Sequence, residues 1–261
     1  VRYPLWSNGA DKTRLIALPP GTTIDTSDPD AWVFPDGTRL WKSFTVEGTP
    51  VETRLLEKRG DAWVAGVYVW DGDDAFLTDG TRTELTLPSG ETYTVPSERA
   101  CFTCHAATTG KDFPLGVEPF QLGDEGIATL AGLFSVDPGA APQVATEDPL
   151  EAEVRGYLHG NCAYCHQPAG VVSYVSVIGL DLRYSATDTG LLGAHAEYWH
   201  ANPNADDGLP LLVPGDPDAS ALVGMLEDAD MPPVATWAPD TDAIATLRAW
   251  IAAMPSEAPA P

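Results

Sequence analysis

Hydrophobic and polar residues alternate along much of the first third of the chain, as in half-buried β-strands. β-branched and aromatic residues are concentrated in three segments, 31–46, 51–71 and 75–95. Glycine-containing turn signals such as Asp36-Gly37 and Asp71-Gly72 punctuate these segments. The pattern predicts an antiparallel β sandwich or small barrel of about six to eight strands over residues 1–96.

After residue 96 the spacing of apolar residues becomes helical. Ser97 is a candidate N-cap for a short helix, and longer helices are predicted over residues 124–134, 148–161, 216–228 and 240–254. Residues 135–149 are rich in proline and alanine, which is typical of a linker. The expected fold class is therefore α+β, with a β-rich N-terminal part and a mainly α-helical C-terminal part.

All four cysteines belong to two copies of one motif, "CFTCH" at 101–105 and "CAYCH" at 162–166. In C-x-x-C-H, two thiols one helical turn apart can each add to a vinyl group of a haem, and the adjacent histidine can bind the iron. We therefore predict two covalently bound haem c groups. The residues expected to hold them are Cys101, Cys104 and His105 at the first site, and Cys162, Cys165 and His166 at the second.

Two other interpretations of the cysteines are weaker. A structural zinc site would pair C-x-x-C motifs separated by about 15–20 residues, whereas 57 residues lie between Cys104 and Cys162. A zinc site of four thiolates would also leave both histidines unexplained. A thioredoxin-like redox dithiol requires a βαβ context, and the sequence shows no sign of one.

An electron-transfer haem needs a sixth iron ligand, usually Met or His. For the second haem we expect Met231, which follows a predicted helix and is held by Pro232 and Pro233. A core position is the alternative for Met231, and it is the expectation for Met225 and Met254.

The sixth ligand of the first haem is open, because no Met or His lies between His105 and His159. His159 is the first candidate, and His195 or His200 is the second. The remaining alternatives are a residue of another subunit and an iron that is open or bound to water.

The chain resembles a family of exported bacterial di-haem c-type cytochromes. The resemblance rests on "WVFPDGTRLWKSF", "CFTCHAATTGKDFPLGVEPFQL", "RGYLHGNCAYCHQPAG" and "LVPGDPDASALVGMLEDADMPP". It implies haem c at both sites and supports Met231 as a ligand. Residues 187–208 depart from the expected pattern, and the physiological role does not follow from the resemblance.

These observations predict four regions along the chain. Residues 1–96 form a β-rich domain, and residues 97–147 carry the first haem and the linker. Residues 148–254 form a cytochrome c-like domain with the second haem, and residues 255–261 form a disordered tail.

The net charge of −24 is unevenly distributed. Residues 1–111 contain 11 Lys and Arg against 16 Asp and Glu, and residues 112–261 contain 3 against 22. Phosphate groups would be repelled, so nucleic acid and anionic membrane surfaces are poor partners. A basic redox protein or a saline habitat suits this charge, and no apolar run reaches the roughly 20 residues of a membrane span.

The leading hypothesis is an electron-transfer protein that is periplasmic or extracellular, because thioether attachment of haem takes place outside the cytosol. The chain starts at Val1, and we expect an export signal to have been removed. One alternative is a di-haem peroxidase or oxidase with an open first iron. Another is a subunit of a homo-oligomeric, haem-stacking conductive assembly.

Overall fold

The computed structural model describes residues 1–28, 32–105, 114–168, 170, 179–196, 208–233 and 236–256. The chain divides into two compact units. Residues 1–2 and 9–142 form the first, and residues 3–8 and 143–261 form the second. The change from one unit to the other after residue 142 falls within the segment that was predicted to be a linker.

The first unit is built on a five-stranded antiparallel sheet in the order β1-β2-β3-β4-β5. Its strands are β1 (Asp11–Ala17), β2 (Arg39–Val46), β3 (Thr49–Arg59), β4 (Ala62–Asp71) and β5 (Asp74–Leu77). Each strand pairs with its neighbour in sequence, and two-residue turns connect β2 to β3, β3 to β4 and β4 to β5, as antiparallel pairing allows. A register shift between Phe44 and Thr45 marks a bulge where β2 meets β3.

A hairpin of β6 (Thr83–Thr86) and β7 (Thr92–Val95) contributes to the same core as the sheet. This core contains the buried residues Ala10, Phe44, Val51, Val67, Leu87, Tyr93 and Val95. The β-rich region thus consists of a sheet and a hairpin. Together they contain seven strands among the residues that the structure describes. The predicted strand-rich character is confirmed, although β1 lies outside the three segments that the pattern singled out.

Two helices and a short 3-10 helix complete the first unit. Helix α1 (Glu98–His105) contacts β4, and α2 (Pro119–Leu130) continues into the 3-10 helix Ala131–Leu133. Gly123 has a φ of 66° inside α2 and kinks it, a conformation that glycine adopts without steric cost. Helix α2 packs on a second core with Ile24, Trp32 and Phe34.

The second unit is mainly helical. Its helices are α3 (Pro149–Asn161), α4 (Ala221–Glu227) and α5 (Thr241–Ala253). Two strands of two residues each, β8 (His195–Ala196) and β9 (Leu209–Pro210), pair with each other. Asp148 and Asp240 cap α3 and α5 by accepting backbone hydrogen bonds from Leu150 and Ala243. Helix α5 packs against both α3 and α4.

Together, the sheet and the helices confirm the α+β class. The predicted helices at 148–161 and 240–254 match α3 and α5 to within a residue or so at each end. The predicted helix at 216–228 is shorter, because Asp216 accepts hydrogen bonds from the N–H groups of Asp218 and Ala219 and forms a turn there. In the described residues, no helix has the length and apolar character to cross a membrane.

Candidate covalent haem sites

The second motif begins where α3 ends. The N–H of Cys162 donates to the carbonyl of Leu158 at 2.8 Å. The N–H groups of Cys165 and His166 then both donate to the carbonyl of Cys162, at 3.1 and 2.9 Å. The motif therefore adds one further turn to the winding of the helix, and this brings Cys162 and Cys165 close enough for their charges to interact.

Burial sets the protonation state of this motif. It raises the pKa of Cys162 to about 12, with a further contribution from the nearby Cys165. It lowers the pKa of His166, whose Nδ1 is buried and has no hydrogen-bond partner within the described structure. At neutral pH the motif thus presents a protonated Cys162 thiol and a neutral His166 imidazole, and the neutral ring is the form that binds a metal.

These residues fit a covalently attached haem. A buried ring nitrogen without a hydrogen-bond partner costs about 1–3 kcal/mol, so His166 is unfavourable in isolation. A bound group that engaged Nδ1 would offset that cost. The adjacent thiols are the groups that thioether attachment consumes, and Cys162 already packs against the apolar core of the second unit.

Met231 contacts the same core cluster as Cys162. It follows α4 directly, where Ala229 has a φ of 56° and the N–H groups of Asp230 and Met231 both donate to the carbonyl of Met225. These bonds close the helix and fix the Met231 backbone, while its side chain stays half-buried. Ligation of iron by Met231 stays a prediction, since Met225 and Met254 pack on this core as well.

His159 lies in α3 and is buried. Its Nδ1 accepts a hydrogen bond of 3.1 Å from the N–H of Tyr184, and the Tyr184 ring packs edge-on at 5.2 Å. A neutral imidazole that accepts at Nδ1 carries its proton on Nε2, so neither nitrogen offers a lone pair to iron. This bond counts against His159 as a haem ligand, and that ligation stays a prediction.

The structure provides less information about the other two candidate histidines. His195 is exposed at the start of β8 and pairs with Pro210. His200 lies outside the described residues.

The first motif forms the end of α1, and Cys101 packs against the core that the sheet shares with the β6–β7 hairpin. Burial raises the pKa of the Cys101 thiol, while the positive charge of Arg54 opposes this shift and the charge of Glu52 adds to it. The motif is therefore next to charged groups of β3. His105 ends the helix, and the side chain of Cys104 and residues 106–113 lie outside the described structure.

The described cysteines Cys101, Cys162 and Cys165 form no disulfide bond. Among the residues that the structure covers, no three or more His, Cys, Asp or Glu side chains are grouped to hold a bare metal ion. Haem iron takes four ligands from its porphyrin and needs one or two from the protein, so it does not require such a group.

The sequence did not reveal the charged groups beside Cys101. Glu52 is fully buried, and it accepts hydrogen bonds from Arg54 at 2.9 and 2.6 Å and from the Tyr93 hydroxyl at 2.7 Å. Glu52 and Arg54 are two positions apart in β3, and this spacing places them on one face of the sheet. That spacing is visible in the sequence, but the proximity to Cys101 depends on the packing of α1.

A comparison with protein-family models, with curated proteins and with solved structures finds no significant match. The assignment of these sites therefore rests on the motifs and on their geometry.

Proposed function

We propose that this protein is an exported di-haem c-type cytochrome that passes single electrons between redox partners. The observation that carries the proposal is the second motif, where a buried neutral His166 with an unpartnered ring nitrogen adjoins Cys162 and Cys165, neither of which is in a disulfide bond. A haem held there would supply reversible one-electron chemistry at its iron. The chain's own residues attach it, ligate it and exclude water.

Attachment of the haem, ligation of its iron and exclusion of water would each depend on specific residues. Cys162 and Cys165 would each add S–H across a vinyl group to give two thioethers, and His166 would provide the proximal imidazole. Cys101, Cys104 and His105 would do the same at the first site. The apolar core around Cys162 would limit water access, which keeps the environment of the iron nonpolar.

The Met231 assignment extends this proposal. A thioether ligand raises the reduction potential of a haem relative to a second histidine. Met231 is on a backbone fixed by two hydrogen bonds to Met225, so little further ordering would be needed to hold its sulfur on iron.

Substitution of Met231 by alanine tests the assignment. We expect the variant to lose the low-spin ferric spectrum of one haem and to show a lower midpoint potential for that haem. The matched control is Met254→Ala, because Met254 is also half-buried against the same core. If both variants keep the wild-type spectrum and potentials, Met231 is not a ligand.

A haem count on motif variants tests the two attachment sites on which the electron-transfer proposal depends. Cys101→Ser with Cys104→Ser should remove one covalent haem, and Cys162→Ser with Cys165→Ser should remove the other. Tyr164→Phe, inside the second motif, is the control and should keep both haems. Retention of two covalent haems in either double variant would contradict the attachment sites.

The hydrogen bond from Tyr184 to His159 favours a second candidate function, a di-haem peroxidase or oxidase. If His159 is held by Tyr184, the first iron lacks its nearest candidate ligand in the sequence, and this favours the alternative of an open position over ligation by His159. Carbon monoxide binding to the ferrous protein distinguishes the two functions. Rapid binding at one haem would favour the enzyme, and no binding would favour electron transfer.

A further inference from the structure

Three cations lie directly opposite one another across the first unit's sheet. Arg14 of β1 pairs with Lys42 of β2, and Lys42 pairs with Arg54 of β3. We call these three residues the cationic row. Neighbouring strands lie about 4.8 Å apart, and like charges directly opposite each other destabilise a sheet. Such a row is unfavourable unless an anion neutralises it.

The chain provides little neutralisation of its own. Lys42 is half-buried, and its pKa is lowered well below the usual value by burial and then by the charges of Arg54, Arg14 and Lys12. The carboxylate that opposes this shift is Glu52. Glu52 is already committed to Arg54 through two hydrogen bonds and to Tyr93 through a third.

The row is next to the first haem motif. Lys42 and Arg54 both lie over the ring of Phe44, with Nζ at 5.2 Å and Cζ at 4.4 Å from its centroid. Phe44 is fully buried in the core against which Cys101 packs. The charges of Arg54 and Cys101 act on each other, so the guanidinium is within electrostatic range of the thiol.

We propose that the cationic row binds the two propionate carboxylates of the haem attached at Cys101 and Cys104. This inference rests on the proposed function. A guanidinium and an ammonium group bind carboxylates through charge-assisted hydrogen bonds, which are stronger than neutral ones. The chain as a whole carries a net charge of −24, so two further carboxylates need local cations to be held.

Binding of propionates explains the charges of the cationic row better than a role in stability alone does. Arg54 neutralises the buried Glu52, but Lys42 adds a cation beside Arg54 and Arg14, and Glu52, the carboxylate that attracts it, is already bound to Arg54. A pair of carboxylates would turn that repulsion into attraction. The haem-free sheet therefore carries a cost that the haem-loaded protein does not.

The test compares Lys42→Gln with Arg39→Gln. Arg39 is in the same strand, three residues before Lys42, so its side chain lies on the opposite face of the sheet from the row. The Arg39 side chain is 54% exposed. Redox titration of the haem-loaded protein should give a lower midpoint potential for one haem in Lys42→Gln, because loss of a nearby cation stabilises the ferric iron. Arg39→Gln should leave both potentials as in the wild type.

A second measurement separates ligand binding from a structural role. Lys42→Gln should reduce the unfolding midpoint of the haem-loaded protein in urea and leave that of haem-free protein unchanged or raised. An equal loss in both forms would show that Lys42 merely supports the sheet, and would overturn the inference.

The haem content of the wild type distinguishes failure of this inference from failure of the proposed function. If the wild type carries no covalent haem, both fail. If it carries two haems while Lys42→Gln keeps the wild-type potentials and the wild-type unfolding midpoints, the propionate site alone is wrong.

Discussion

Replacing Arg54 by methionine removes the cation that neutralises a fully buried carboxylate. In the native sheet, Glu52 accepts two hydrogen bonds from Arg54, at 2.9 and 2.6 Å, and the Arg54 side chain is only 23% exposed. Breaking a buried ion pair by removing one partner costs about 3–5 kcal/mol, because the remaining charge is left uncompensated. Tyr93 still donates to Glu52, so we expect a loss near the lower end, about 3 kcal/mol.

Urea unfolding followed by tryptophan fluorescence measures this loss, with all proteins in the same haem state. The double variant Glu52→Gln with Arg54→Met removes both charges, and a neutral amide can still bond to the Tyr93 hydroxyl. We expect it to recover more than half of the loss, since replacing a whole buried pair is often close to neutral. A loss below about 1 kcal/mol in Arg54→Met, typical of exposed pairs, would refute the reasoning.

Two further predictions concern the second unit and use the same unfolding assay. Leu158→Ala should cost about 2–5 kcal/mol, because Leu158 is 1% exposed in the core; the control Leu192→Ala, at a side chain 70% exposed, should change stability by less than about 0.5 kcal/mol. Gly156→Ala should cost about 1–3 kcal/mol, because its Cβ would overlap the ring of Tyr3. Gly193→Ala meets no neighbour and should not show this loss. Equal effects of variant and control in either pair would show that the packing described here is wrong.

The sequence predicted α3 and α5 well because local signals and core packing agree. Aspartates at 148 and 240 cap the helices, and apolar residues such as Leu158 and Ile251 recur at helical spacing and are buried. The strand β1 did not stand out, because it lies at the sheet edge and most of its residues are exposed. Its place follows from pairing with β2, and this pairing is not local in sequence.

The candidate sites show the same division between local and long-range information. The two C-x-x-C-H motifs could be found from spacing alone, because the proposed thioether chemistry requires a fixed distance between the two thiols. The cationic row could not, since Arg14, Lys42 and Arg54 meet only once three strands are in register. Likewise, the hydrogen bond between Tyr184 and His159 joins residues 25 positions apart and depends on tertiary packing.

The measurement that tests the central claim most directly is the covalent haem content of the purified wild-type protein. The chain should be expressed in cells that carry out c-type cytochrome maturation, and then denatured, extracted with acidic solvent and analysed by intact mass and pyridine haemochrome absorption. We expect two haems per chain to resist extraction and to show the spectrum of thioether-linked haem. A chain without covalent haem, or one whose cysteines bind zinc instead, would contradict the proposed function.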